Sequence, residues 1–389
     1  MEKQVTSPRR FTLLKGPHIR RADFNKLNTK TMMLDVIIAL IPLFIFAWYK
    51  NGISPFINDK TNVWGMLYPF IFMVLGAGSA YLFESLYYLF FYRNEKEKIN
   101  HFKKSLDNYS IIPGLMLAMI LPLYTPIWVL LLGTLFAIWI GKMLFGGFGY
   151  NLFNPALVGY VFVITAFYGV IKNNGGYLNP SEVDVLTGAT PLAEFKEVLA
   201  GTKNLNDVIN AQGGLFNFFI GMRAGSLAET SGILCILAYI YLVIKKVIDW
   251  KMPLIYVITI FVITYIIGAF NGYYNTLNFA LFNVLSGGVL YGAVFMVTEP
   301  VTSPRNVNAK IFYCLFIAIL TILLRFLSNL DEGVCTAILF MNMFTPMFDL
   351  SFAKLQVEDK IKNKIIGYGA YILVFVLITL YIILRLVVK

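Results

Sequence analysis

Three stretches of this chain combine residue types and spacing that can do chemistry. The first is Asp184-Val185-Leu186-Thr187-Gly188-Ala189-Thr190-Pro191-Leu192, two hydroxyls around a Gly-Ala pair in a polar region. Local chemistry alone makes it a turn, with Gly188 free to take a positive φ and a threonine capping the next helix. The second is Gly146-Gly147-Phe148-Gly149-Tyr150-Asn151-Leu152-Phe153-Asn154-Pro155-Ala156. It is either a plain helix break with Pro155 at the first helical position, or a binding site. Asn151 and Asn154 each offer donors and acceptors, which would suit a planar ligand rich in carbonyls and ring nitrogens. Two carboxamides at membrane depth are costly unless partnered. The third stretch is Arg223-Ala224-Gly225-Ser226-Leu227-Ala228-Glu229-Thr230. Ser226 with Glu229 three residues on is a capping-box pattern, and a helix N-terminus beside Arg223 is also a ready anion site.

The elements that must position these residues are membrane helices. The chain has 389 residues, 58% hydrophobic and only 14% charged, with a mean hydropathy of +0.70. A soluble domain carries about 25% charged residues, and apolar runs of span length recur from end to end here. Eleven spans are expected near 32–49, 65–92, 110–127, 128–145, 155–171, 225–244, 252–270, 279–297, 311–328, 333–348 and 365–387. If the basic N-terminus is inside, 23 of the 32 Lys and Arg fall on inner segments and 9 outside, which fixes the orientation. The net charge of +11 therefore reports topology and argues for no nucleic-acid partner. Membrane lipid is the expected surrounding. Cys235, Cys314 and Cys335 share no short spacing, and neither His18 nor His101 is placed as a metal ligand.

The organisation is then a basic inner tail (1–31), a first five-helix half (32–171), an outer polar loop (172–224), a second five-helix half (225–348) and an inner linker with an extra helix (349–389). The fold class is an all-α polytopic membrane protein with ten or eleven transmembrane helices. Five spans is an odd number, so a second group of five runs in the opposite sense, as in an inverted repeat. Asp35, Glu84 and Arg325 are the clearest ionisable residues within spans. A charge near the midplane costs roughly 2.5–3.5 kcal/mol, so Glu84 and Asp35 are candidates for an ion path. Each also has a bland reading, Asp35 as interfacial and Glu84 as a hydrogen-bonded structural carboxyl. Arg325 is expected to snorkel to the outer surface. Thr298-Glu299-Pro300-Val301-Thr302-Ser303-Pro304-Arg305 reads as a loop after a Pro-terminated helix, and Asn342 as a residue bonding across helices.

Five motifs in register, Gly16-Pro17-His18-Ile19-Arg20, 146–156, 187–190, 225–231 and 298–304, carry a resemblance. The chain is similar to the family formed by the D subunit of the Rnf ion-translocating ferredoxin:NAD oxidoreductase and its paralogue, the B subunit of the sodium-pumping NADH:quinone reductase. The Rnf type is preferred, because the N-terminal tail is short. The resemblance implies an electron-transport subunit carrying FMN joined covalently to Thr190 through a phosphodiester. Thr187, Gly188 and Ala189 complete that motif, and a flavin transferase would reach it from outside. Arg223 and Ser226 would receive the phosphate. A second, noncovalent flavin, riboflavin in the family, would sit near Asn151 and Asn154. The remaining implied partners are the other membrane and flavoprotein subunits of the complex, since no dinucleotide-binding fingerprint occurs here. Thr187 stands where serine is common, and the span after 349 exceeds the usual family length. On architecture alone a channel or secondary transporter with inverted repeats is the alternative, and a redox-inert scaffold a third.

Overall fold

The structure, a computed structural model, describes residues 28–91, 98–175, 191–270, 275–328 and 332–387. Thr187, Gly188, Ala189 and Thr190 lie outside the described residues, as does the 16–20 motif. The helices, in chain order, begin with α1 (Thr29–Ile57), α2 (Val63–Phe91), α3 (Lys98–Asp107), α4 (Ile111–Ile120), α5 (Ile127–Phe145) and α6 (Pro155–Asn173). The polar segment between the halves holds α7 (Pro191–Leu199), α8 (Leu205–Ala211) and α9 (Leu215–Ile220). The second half has α10 (Gly232–Ile244), α11 (Lys251–Phe270), the pair α12 (Thr276–Leu285) and α13 (Val289–Met296), and α14 (Val307–Leu327). It ends with the pair α15 (Val334–Asn342) and α16 (Thr345–Val357), after which comes α17 (Ile361–Val387).

Each of the eleven expected spans contains a helix, but they are not eleven straight crossings. Among the described residues, seven helices are long and apolar enough to cross a membrane, or up to nine if each bent pair counts as one. The α12/α13 pair bends by 59° and the α15/α16 pair by 57°. Two further segments are too short to cross, because α4 has 10 residues and α10 has 13. At 1.5 Å per residue α4 reaches about 15 Å, half a hydrocarbon core. Its missing half is supplied by the segment before α10. Leu227 N–H donates to Leu121 O at 3.1 Å and Ala228 N–H to Met119 O at 2.9 Å. Irregular backbone is tolerated at this depth because each half satisfies the other.

The same neighbours recur in both halves. In the first, α2 packs on α4 and α5, and α5 on α6; in the second, α11 packs on α12 and α14, and α14 on α15. The halves meet like to like, α1 on α10 and α6 on α15. This recurrence is the neighbour pattern expected of two five-helix repeats. Close approach depends on glycine where α2 crosses α4: a methyl on Gly76 would stand 2.8 Å from Gly114 O and 2.7 Å from Ala118 Cβ.

Residues 191–220 form a packed cap on the second half. Phe195 of α7 meets the rings of Phe279 and Phe282 on α12 and Phe326 on α14, with centroids 5.5, 5.2 and 5.4 Å apart. Leu192, Val198, Leu205, Val208 and Ile209 are buried with it. The linker expected after Asp349 is shorter than anticipated, since α16 continues to Val357 before α17 begins.

Candidate flavin cleft and the polar clusters

Asn151 and Asn154 come together at the end of the bundle that the charge asymmetry assigns to the inside. Asn154 caps α6, its Oδ1 accepting from Ala156 N–H at 3.0 Å, with Pro155 at the first helical position as its type implies. That leaves its NH2 for a ligand. The Asn151 amide donates to Phe153 O at 3.1 Å and to Glu299 Oε1 at 3.4 Å. Both asparagines line a mostly apolar cleft with about 810 Å³ of open space, part of it continuous with the surroundings. Its walls include Met33 of α1, Met116 of α4, Phe148, Phe295 of α13 and Glu299.

The cleft thus joins two motifs that lie far apart in the sequence. The 298–304 stretch, which by sequence reads as a simple loop, supplies Thr298, Glu299, Pro300 and Val301 to its wall. Glu299 also accepts from Thr302 Oγ1 at 2.9 Å. Burial pushes its carboxyl up to about 7 from 4.5, against the opposing effects of Thr302, Asn151 and Lys142. Sequence reasoning misses Glu299, although an acid directly after an apolar run and before a proline is a visible signal.

Glu84 is fully buried and forms an ion pair with Lys142, Nζ to Oε2 2.6 Å. Asn108 donates to Glu84 Oε1 at 2.9 Å and to the Tyr88 hydroxyl at 2.8 Å, while Lys142 also reaches Asn108 O at 2.9 Å. Lys142 and Asn108 line the cleft as well, so this ion pair backs the site. By sequence Lys142 counts only as a topological charge. Asp35 accepts from the Tyr241 hydroxyl at 2.7 Å, tying α1 to α10. Tyr313 of α14 and the Asn342 side chain of α15 are 2.7 Å apart, the cross-helix bond expected of Asn342.

Two readings of the outer end need correction. Ser226 does not cap a helix, because α10 starts at Gly232 with Ser231 as its cap. Ser226 instead donates to Glu229. Arg223 is 2% exposed and donates to Leu285 O at 2.9 Å and Gly287 O at 3.2 Å. The anion site expected at a helix start by Arg223 and Ser226 is therefore not formed that way, since no helix begins there and Arg223 Nη2 is committed to carbonyls. Arg325 does not snorkel either. It is 3% exposed and turns inward to Asn283 O at 2.5 Å and Ser286 O at 3.3 Å.

Comparison with known proteins places this architecture. Residues 12–357 match the model of the NQR2, RnfD, RnfE family. The chain belongs to that family. The D subunit of a proton-translocating ferredoxin:NAD(+) oxidoreductase complex from Clostridium ljungdahlii is 32% identical, over 87% of this chain and 93% of its own. The D subunit of a Na(+)-translocating ferredoxin:NAD(+) oxidoreductase complex from Acetobacterium woodii is 28% identical, over 91% of this chain and 97% of its own. The D subunit of an ion-translocating oxidoreductase complex from Stutzerimonas stutzeri is 31% identical, over 64% of this chain and 75% of its own. The family match contains the cleft, both bent pairs and the outer cap, and it ends where α16 ends. Helix α17 lies beyond it. The channel alternative rested on architecture alone, and family membership removes that ground.

Proposed function

We propose that this chain is the D subunit of an Rnf-type complex and relays electrons between two flavins, coupled to translocation of Na⁺ or H⁺. One flavin is FMN on Thr190, joined through a phosphodiester on the outer face. The other is a noncovalent flavin such as riboflavin in the inner cleft. The observation that carries the reading is the convergence of the 146–156 and 298–301 stretches on one mostly apolar cleft bearing Asn151, Asn154 and Glu299. An isoalloxazine ring needs an apolar slot with a few donors and acceptors for its carbonyls and ring nitrogens. The Asn154 NH2 supplies a donor to a ring carbonyl, and Asn151, whose NH2 is committed to Phe153 O and Glu299 Oε1, leaves its Oδ1 to accept from a ring N–H. Glu299, neutral below about pH 7, offers a further donor, and Phe148 and Phe295 give apolar walls. Bound flavin supplies the redox chemistry, while the chain holds the ring and sets its surroundings.

The outer site is supported by its sequence and by the helix directly after it. Pro191 opens α7, and Leu192 is buried in the cap, which anchors the C-terminal side of the motif firmly to the second half. A transferase can reach an outer hydroxyl while the neighbouring chain stays fixed. The relatives' names speak of complexes, so partner subunits with ferredoxin and NAD chemistry complete the electron path here too.

The two pools are separable. Acid precipitation of purified protein is expected to leave one flavin in the pellet and release another. Thr190→Ala should empty the pellet, and Asn151→Ala should reduce the released flavin several-fold. Loss of both pools in Asn151→Ala, with the protein still folded, would contradict separate sites.

A further inference from the structure

The break between α12 and α13 holds a polar cluster for which the flavin reading has no use. Glu229, from the segment before α10, and Glu332, before α15, close on Gly288 from two sides. Gly288 N–H donates to Glu332 Oε1. A methyl on Gly288 would collide with Glu229 Oε2 and stand 3.1 Å from Glu332 Oε1. An oxygen of each carboxyl thus lies against the same glycine, and two carboxylates so close repel unless one carries a proton.

A second observation stands apart from the acids. Among the described residues, the buried side-chain atoms lacking a partner are Arg223 Nε, Arg325 Nε, Asn283 Oδ1 and Ser286 Oγ. All four belong to groups gathered on residues 283–288: Arg223 and Arg325 bond to carbonyls of that stretch, and Asn283 and Ser286 are part of it. Two N–H donors and two oxygens beside a break in a membrane helix are the partners that buried water requires.

We propose that Glu229 and Glu332 share one proton at this break and form a water-linked protonation site. On release, the O–H bond of the acid breaks, the proton passes to water, and two carboxylates remain beside Arg223 and Arg325. Uptake reverses these steps. The ion is a proton: Lys50, bonded to Arg223 O and Thr230 Oγ1, and the two arginines repel a metal cation. The other titratable groups facing the pair are Cys235 of α10, Tyr291 of α13 and Cys335 of α15, with Tyr256 of α11 beside Arg325. That the site serves ion translocation rests on the function proposed above; that it holds a proton does not.

The test is infrared spectroscopy of the full chain in detergent. Glu299→Gln serves as background, so that this other raised carboxyl does not contribute. At about pH 8, above the ordinary carboxylate range, a protonated carboxyl C=O band is expected that shifts in D2O. The same band should vanish in Glu229→Gln and in Glu332→Gln, since glutamine keeps the volume and can donate to the remaining carboxylate. Replacing potassium with sodium should leave it unchanged. The background protein showing no such band would overturn the proposal even if the variants failed to fold. A band surviving both substitutions, or one removed by sodium, would overturn it too. The flavin content reports separately on the function proposed above.

Discussion

Single residues decide how the cleft responds to pH. Glu299 has a pKa raised to about 7 from 4.5 by burial, so the folded chain binds more protons than the unfolded one between these values. Its contribution to stability is full below about 4.5, falls through that window and is gone above about 7. Noncovalent flavin retention is expected to weaken in the same direction, because an ionised carboxylate faces ring carbonyls where a neutral acid would donate. Flavin release measured between about pH 6 and 8 should show this trend in the wild type and lose it in Glu299→Gln. An unchanged trend in that variant would assign it to another group. The Glu84–Lys142 pair makes a different prediction. Removing Lys142 alone strands a buried carboxylate and should cost about 3–5 kcal/mol, whereas a paired apolar replacement should cost far less. Thermal unfolding of Lys142→Met and of Glu84→Leu with Lys142→Met compares the two. Equal losses would mean that the carboxyl does not depend on the lysine.

At the scale of elements, the sequence shows where helices lie better than whether they cross. Apolar run length locates all eleven segments, and Pro155 and Asn342 take the roles their types imply. Run length says nothing about a helix that stops halfway and is completed by another chain segment, as α4 is by 223–231. The misplaced cap at Ser226 has the same origin. A capping-box pattern is local, while Lys50, Asn51 and the end of α4 hold this stretch out of a helix through long-range bonds. Glycine roles are equally hidden. A side chain at Gly76 meets Gly114 and Ala118, whereas Gly78 faces open space. Gly76→Val is expected to destabilise by about 1–3 kcal/mol through overpacking, and Gly78→Ala to stabilise by up to about 1 kcal/mol. Thermal unfolding in detergent separates them, and equal shifts would argue against the tight α2–α4 crossing.

For the whole molecule, the recurrence of neighbours between the halves is anticipated by the five-plus-five count of spans, and the cap of residues 191–220 by the longest polar stretch after the tail. What periodicity cannot reveal is which motifs meet, because the 146–156 and 298–304 stretches are joined only by the packing of the two halves. Helix α17 lies outside the family match and buries little of itself, 6% of its most apolar window. A chain ending at Val357 is therefore expected to insert and to keep its flavins, and loss of both on truncation would make α17 part of the functional unit. The central claim concerns Thr190, and the most direct measurement is ultraviolet fluorescence of the purified chain on a denaturing gel, with mass analysis of the peptide spanning 187–190. From cells that hold the flavin transferase, the account predicts a fluorescent band, an FMN-sized addition on Thr190, and neither in Thr190→Ala. A dark wild-type band with an unmodified peptide would contradict it.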